Sequence, residues 1–262
     1  MILLALVFFG LVFGSFVNAL VWRMHEGRDW VKERSECPHC HHELAAKDLV
    51  PVLSYLMLRG KCRYCHKPIP DTPLAELAVA ALFVASYVWW PWPLHGGGLF
   101  QFVLWLIFLV GFVALAVYDL RWFLLPNKVV FPLAALAAVQ TLALPLLFHG
   151  AWRDVGGAVL GVAVIAGLFW VFFQLSDGKW IGGGDVKLGV VLGLLAGGPL
   201  QSALLLFVAS ACGCVAALPM VLAGKANRKA HIPFGPFLLL ALVVVKLFGA
   251  GIIQWYTHAL TV

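Results

Sequence analysis

The sequence predicts an all-α polytopic membrane protein of about eight transmembrane helices, with a small cysteine-bearing loop domain between the first and second. Three observations predict it. Of the 262 residues, 63% are hydrophobic and only 11% are charged, against about 45–50% and about 25% in soluble domains. The apolar residues fall in runs long enough to cross a bilayer. The basic residues fall almost entirely in alternate connections between those runs.

The first run, residues 2–22, has neither the basic start nor the small-residue cleavage site of a signal peptide. It reads as a retained first helix. Further runs cover about 73–92, 99–118, 129–148, 155–175, 186–200, 202–223 and 233–256. The sixth is short and rich in glycine. Hydrocarbon offers no partner to an unpaired backbone group, so each run is expected to coil into a helix. Trp89, Trp90, Trp92, Trp152 and Trp255 lie near the ends of runs, where amphipathic rings suit the headgroup interface. The expected organisation is a first helix at 1–22, a soluble domain at 23–72 and a seven-helix membrane domain at 73–262.

Sixteen of the eighteen Lys and Arg residues lie in four connections: 23–72, the loop holding Arg121 and Lys128, the loop holding Lys179 and Lys187, and the loop holding Lys225, Arg228 and Lys229. Arg153 alone lies in the opposite set, and Lys246 falls inside the last run. By the positive-inside rule the basic connections are cytoplasmic and both termini are periplasmic. This topology accounts for the net charge of +6. No basic patch interleaved with aromatics appears, so no nucleic-acid partner is expected.

The 23–72 segment is about as short as an independently folded piece can be, and such pieces often need metals or disulfides. It holds Cys37-Pro-His-Cys40 and Cys62-Arg-Tyr-Cys65. Two C-x2-C pairs suit tetrahedral zinc, each wrapping one side of the ion with soft thiolate ligands. A cytoplasmic loop stays reduced, which disfavours two disulfides. Four free thiols or a redox pair are the alternatives. A four-sulfur site has no open position, so its expected role is structural. His39, His41, His42 and His66 nearby are expected at the surface. Cys212 and Cys214 read as small, buried apolar residues of the seventh run.

Seven of the twelve acidic residues lie in the soluble segment. Asp154 and Asp177 read as loop residues. Asp119 closes the third run, and Asp185 opens the sixth after Gly182-Gly183-Gly184. Ionisable groups at the edge of a span are candidates for function, because burying their charge is costly. The glycines permit close backbone approach. Two facing carboxylates cannot both ionise and so share a proton. One can then activate water while the other polarises a carbonyl, as in an aspartic protease. In the alternative, Asp119 pairs with Arg121, Asp185 pairs with Lys187, and neither does chemistry.

Taken in order, several short motifs resemble the bacterial type IV prepilin leader peptidases. They are Gly14-Ser15-Phe16-Val17-Asn18 with Arg23, the two C-x2-C pairs around Pro51-Val52-Leu53-Ser54-Tyr55-Leu56, and Pro73-Leu74-Ala75-Glu76-Leu77. Asp119 with Leu125-Pro126-Asn127, Gly182-Gly183-Gly184-Asp185 and Ile232-Pro233-Phe234-Gly235-Pro236-Phe237 follow. The resemblance covers nearly the whole chain. It implies an inner-membrane aspartic endopeptidase with Asp119 and Asp185 as the catalytic pair, and Gly182, Gly184 and Lys187 in support. Its substrates would be type IV prepilins or type II secretion pseudopilins, cut after a Gly. It also implies N-methylation of the new terminus, commonly Phe, with S-adenosylmethionine. Asn127 stands where such proteins often carry Asp.

No Gly-rich nucleotide loop follows a strand, so the methyl donor is expected at the cytoplasmic cysteine loop, near Asn18, Arg23 and Glu76. Each of these three also has a structural reading: a helix–helix hydrogen bond, a snorkelling anchor and a helix N-terminal acid, respectively. Two other readings compete. A peptidase-only protein would lack the tetracysteine loop, which is present here. A zinc-knuckle transporter or scaffold would place polar residues deep in several runs, and beyond scattered Gln and Lys246 these runs have few.

Overall fold

In the computed structural model, which describes residues 1–29, 33–69, 71–222 and 232–261, each apolar run has a helix through most of its length. The helices are α1 (Ile2–His25), α2 (Leu53–Met57), α3 (Leu74–Val88), α4 (Gly96–Trp122), α5 (Asn127–Phe148), α6 (Trp152–Val162), α7 (Leu168–Ser176), α8 (Gly183–Ala196), α9 (Pro199–Leu222) and α10 (Gly235–Thr261). A π-helical turn, Ala163–Gly167, joins α6 to α7, so Trp152–Ser176 runs as one helical rod. Among the described residues, six helices are long and apolar enough to cross a membrane: α1, α4, α5, the α6–α7 rod, α9 and α10. The other two apolar runs form shorter helices, α3 with 15 residues and α8 with 14. At 1.5 Å per residue α8 is about 21 Å long, less than the roughly 30 Å of a hydrocarbon core. The basic loop carrying Lys225, Arg228 and Lys229 lies outside the described residues.

The chain forms two compact units. The first comprises Met1–Val88 and Trp105–Val117, the middle of α4. Gly10 and Gly14, spaced G-x-x-x-G, bring the backbones of α1 and α3 together. A Cβ on Gly10 would lie 2.4 Å from Ala80 Cα, and one on Gly14 would lie 2.3 Å from Glu76 Cα. Small residues at this spacing are how helices pack in lipid, where burial of apolar surface supplies no drive. Trp105 on α4 donates its Nε1–H to Ser86 Oγ at 2.9 Å.

The two cysteine knuckles have the same backbone form. Cys37 and His42 are bridged by a Cys37 N–H bond to the His42 carbonyl at 3.0 Å. The Cys62 N–H bonds the Lys67 carbonyl at 2.9 Å in the same way. His41 and His66 hold the equivalent left-handed positions, with φ of 54° and 56°.

The second unit comprises Trp89–Leu104 and Tyr118–Val262, with α8 at its centre. Leu188, Val191, Leu192 and Leu195 of α8 are almost fully buried. A second G-x-x-x-G pair, Gly189 and Gly193, faces the α6 rod. A Cβ on Gly193 would lie 2.4 Å from Val162 Cα, and one on Gly189 would lie 3.0 Å from Ala166 Cα in the π turn. The helix stops at Gly197, which has a φ of +82° that glycine adopts without strain. Lys246 of α10 donates Nζ–H to the Leu195 carbonyl at 3.3 Å and lies 4.7 Å from the Trp92 ring centroid. A cation at a helix C-terminus meets both the unpaired carbonyls and the negative end of the dipole.

Candidate active site and metal centre

Asp119 is three residues from the end of α4 and only 6% exposed. Its Oδ2 accepts the Gly235 N–H at 3.1 Å. Gly235 is the first residue of α10, so the carboxylate is held on a helix N-terminus, where free N–H groups and the dipole favour an anion. Asp185 lies in the first turn of α8, outside the six long spans. Gly182 precedes the helix as its cap, which puts Asp185 at the third helical position. At that position the Gly182 N–H and the helix dipole favour its ionised form.

The Asp119 charge acts on Asp185. Burial, followed by the repelling charge of Asp119, pushes the Asp185 carboxyl up to about 6, while the Gly182 bond pulls against them. Leu125, from the connection after α4, touches both approaches. A Cβ on Gly184 would lie 3.1 Å from Leu125 Cβ, and one on Gly235 would lie 3.5 Å from Leu125 Cδ2.

Among the described residues neither carboxylate forms an ion pair. Lys187 turns away from Asp185. Its Nζ donates to Asn127 Oδ1 at 3.0 Å and sits 5.6 Å from the Phe131 ring centroid. The Arg121 guanidinium lies over Trp122 at 5.9 Å. The ion-pair alternative for the two aspartates is therefore not what the fold adopts. Lys187 instead ties the start of α5 to the start of α8, with Asn127 as its acceptor.

The other sequence-derived candidates fall in the first unit. Glu76 is 8% exposed in the first turn of α3, and its Oε2 accepts the Val52 N–H at 2.6 Å. Ser15 bonds the same carboxylate. Asn18 Nδ2 donates to the Thr72 carbonyl at 3.4 Å, and Arg23 Nη2 donates to Ser35 Oγ at 3.1 Å. Both bonds tie the end of α1 to the soluble segment. Ser15, Val52 and Gly235 carry more of this geometry than their sequence context indicates. A serine beside Gly14 in an apolar helix was the one available signal for the first.

The sulfurs of Cys37, Cys40, Cys62 and Cys65 lie within 4.8 Å of one another, and Cys37 Sγ is 3.8 Å from Cys65 Sγ. A zinc tetrahedron with Zn–S bonds of about 2.3 Å has sulfur–sulfur edges of about 3.8 Å, so the four thiols fit such an ion. The Tyr64 N–H points at Cys62 Sγ at 3.4 Å, the kind of outer hydrogen bond that orients a thiolate ligand. His41 pairs with Glu36 at 3.3 Å, and the His42 ring packs on Tyr64. Neither histidine belongs to the sulfur cluster.

Comparison with known proteins gives a consistent result along the chain. Residues 8–90 match a family model described as the bacterial peptidase A24 N-terminal domain, and residues 106–218 match one described as the type IV leader peptidase family. A prepilin leader peptidase/N-methyltransferase of Aeromonas hydrophila is 33% identical over 286 residues, covering 96% of this chain and 93% of its own. Proteins of the same description from Pseudomonas aeruginosa and Bacillus subtilis are 31% and 30% identical. They cover 97% and 96% of this chain, and 92% and 96% of their own. No solved structure matches the chain.

Proposed function

The chain belongs to the type IV leader peptidase family, and we propose that it cuts the basic leader from prepilins or pseudopilins with Asp119 and Asp185, then methylates the new amino terminus. The observation that carries the peptidase reading is two carboxylates free of ion pairs, Asp119 buried at the α10 N-terminus and Asp185 in the first turn of α8, close enough to feel the Asp119 charge.

One shared proton follows from that proximity. The ionised carboxylate takes a proton from water as the oxygen attacks the scissile carbonyl. The protonated one donates to the carbonyl oxygen, giving a neutral tetrahedral diol. Collapse breaks the C–N bond, the leaving amine takes a proton from the dyad, and the diol returns one to it. The Gly235 N–H holds Asp119 without saturating its carboxylate. The three glycines at 182–184 leave room for an extended substrate backbone.

The basic loops, and with them the dyad and the cysteine knuckles, face the cytoplasm of a bacterial inner membrane. A prepilin lies with its basic leader in the cytoplasm and its apolar helix in the bilayer, so its scissile bond arrives at the interface where the dyad lies. The four cysteines hold a structural zinc ion, because a closed four-sulfur shell leaves no site for substrate. S-Adenosylmethionine, when bound, supplies an electrophilic methyl group: the amine lone pair bonds to it, the C–S bond breaks to leave a neutral thioether, and the ammonium sheds a proton to solvent.

Mass spectrometry of a prepilin incubated with the purified protein and S-adenosylmethionine tests both steps. The expected product lacks the leader and carries one added methyl. Asp119→Asn and Asp185→Asn proteins, present at normal levels, are expected to leave the prepilin intact. Cleavage by either variant at more than about 1% of the wild-type rate would remove that residue from the dyad, since loss of a reacting acid or base costs at least 10²-fold.

A further inference from the structure

We propose that Trp180, in the connection between α7 and α8, is a specificity residue of the peptidase: its indole docks the apolar side chain that follows the scissile bond of the substrate. This deepens the peptidase reading of Asp119 and Asp185 and rests on it.

The connection is a built loop. Helix α7 ends at Ser176, and Asp177 and Gly178 both take left-handed conformations, with φ of 48° and 74°. The Gly178 and Lys179 N–H groups return to the carbonyls of Phe173 and Ser176 at 2.9 and 3.0 Å, which satisfies the end of the helix. The Ser176 hydroxyl donates to the Phe172 carbonyl at 2.7 Å and accepts the Trp180 N–H at 3.2 Å. The Phe173 ring lies under both ends of the segment that follows. A Cβ on Gly178 would lie 3.0 Å from it, and one on Gly183 would lie 3.6 Å from it. The chain thus leaves that ring, passes through Trp180 and returns to the same ring as α8 begins.

This path sets Trp180 beside the dyad. Gly182, two residues further on, caps α8, and a Cβ on it would lie 3.6 Å from Asp185 Oδ2. Two residues span at most about 7 Å, so the indole springs from backbone within that distance of Gly182. The side chain is nonetheless 72% exposed. An apolar surface that large is costly to leave in water, and apolar exposure with a polar rim marks a contact surface. The apolar rod ends at Ser176, and Trp180 stands beyond it, next to Lys179.

The surroundings select what covers it. The α4–α5 connection also meets the dyad, since Leu125 packs against Gly184 and Gly235. Phe123 and Leu124, just before it, are exposed. The two connections, 123–126 and 177–182, hold one acid, Asp177, against one base, Lys179. They offer no net negative charge to a basic leader. They suit the apolar stretch on the other side of the scissile bond, where a ring can pack on the indole face or edge.

The test is a cycle of two changes, one in each partner, read as kcat/KM for leader removal by the full-length protein in detergent. The substrate is a prepilin whose first mature residue is Phe, compared with the same prepilin carrying Ala there. Trp180→Ala is expected to lower kcat/KM at least about tenfold on the Phe substrate, chiefly through KM, and less than about twofold on the Ala substrate. Trp180→Phe is expected to restore most of the loss. Trp152→Ala removes an exposed indole from the other end of the same rod, about 36 Å away, and is expected to change nothing. An equal loss on both substrates would make Trp180 a membrane anchor and overturn the inference. A ring face also attracts cations, so a loss that vanishes only when the leader's Lys and Arg are replaced would overturn it too. Undiminished cleavage by Trp180→Ala would remove this inference and leave the peptidase reading standing. A wild-type protein that cuts neither prepilin would remove both.

Discussion

A Cβ built on Gly235 would sit 2.5 Å from Asp119 Oδ2 and 3.3 Å from its carboxyl carbon. Helix propensity alone would favour Ala at that position. The carboxylate would nonetheless have to leave the α10 N-terminus, so Gly235→Ala is expected to lower the cleavage rate at least about 100-fold. An unchanged helical circular-dichroism spectrum would show that the loss is local. Asp185 makes a different prediction. Its folded carboxyl titrates near 6, against 3.8 ordinarily, so between those values the folded protein binds more protons than the unfolded chain. Its contribution to stability is therefore full below about pH 3.8 and is lost as pH rises through 6. Asp185→Asn removes that burden, by about 2–3 kcal/mol at most. The inactive variant is expected to melt higher than wild type at pH 8 and level with it at pH 4. The same coupling puts the alkaline limb of the wild-type pH–rate profile at or above pH 6. Both aspartates stand out in the sequence as charges at the edges of apolar runs. The Gly235 bond to Asp119 does not, since it joins residues 116 positions apart.

Helix α8 carries Asp185 and is gripped backbone to backbone by the α6 rod. Gly193→Leu would drive a branched side chain into Val162 Cα and the Gly161 carbonyl carbon, which a Cβ alone would meet at 2.4 and 2.7 Å. Overpacking of this kind costs about 1–3 kcal/mol or more, and the shift would carry Asp185 with it. A lower melting temperature and a loss of cleavage are expected together. Gly156, on α6, has no atom within 4 Å of its added Cβ, so Gly156→Ala is expected to leave both unchanged. The eight apolar runs were readable because hydrocarbon demands long uninterrupted stretches. The ends were less so: α1 extends to His25 and α4 begins at Gly96, since helices continue past the hydrocarbon edge into polar sequence. The left-handed turn at Val52, with φ 60°, was not readable at all, because a β-branched residue argues locally against it.

Large apolar side chains such as Leu4, Phe8, Trp170 and Phe207 face outward, as a protein solvated by lipid requires. Among the described residues of 23–72 the buried apolar side chains are Cys37 and Cys62, so metal ligation is expected to contribute much of the segment's stability. Metal analysis of the purified protein is expected to find one zinc per chain. Chelation is expected to remove that metal and lower the melting temperature of the protein. Two C-x2-C pairs made the four-cysteine cluster readable from spacing alone, whereas the close packing of α1 on α3 beside it arises only in three dimensions. The 3.8 Å between Cys37 and Cys65 has one more consequence. A disulfide needs only about 2.05 Å, so thiols gathered this closely are poised to cross-link once the ion leaves. A metal ion bound there would thus act as a shield against oxidants. A brief loss of metal in oxidising surroundings would convert a reversible vacancy into a covalent lock between the two knuckles, which a reductant and not added zinc would undo.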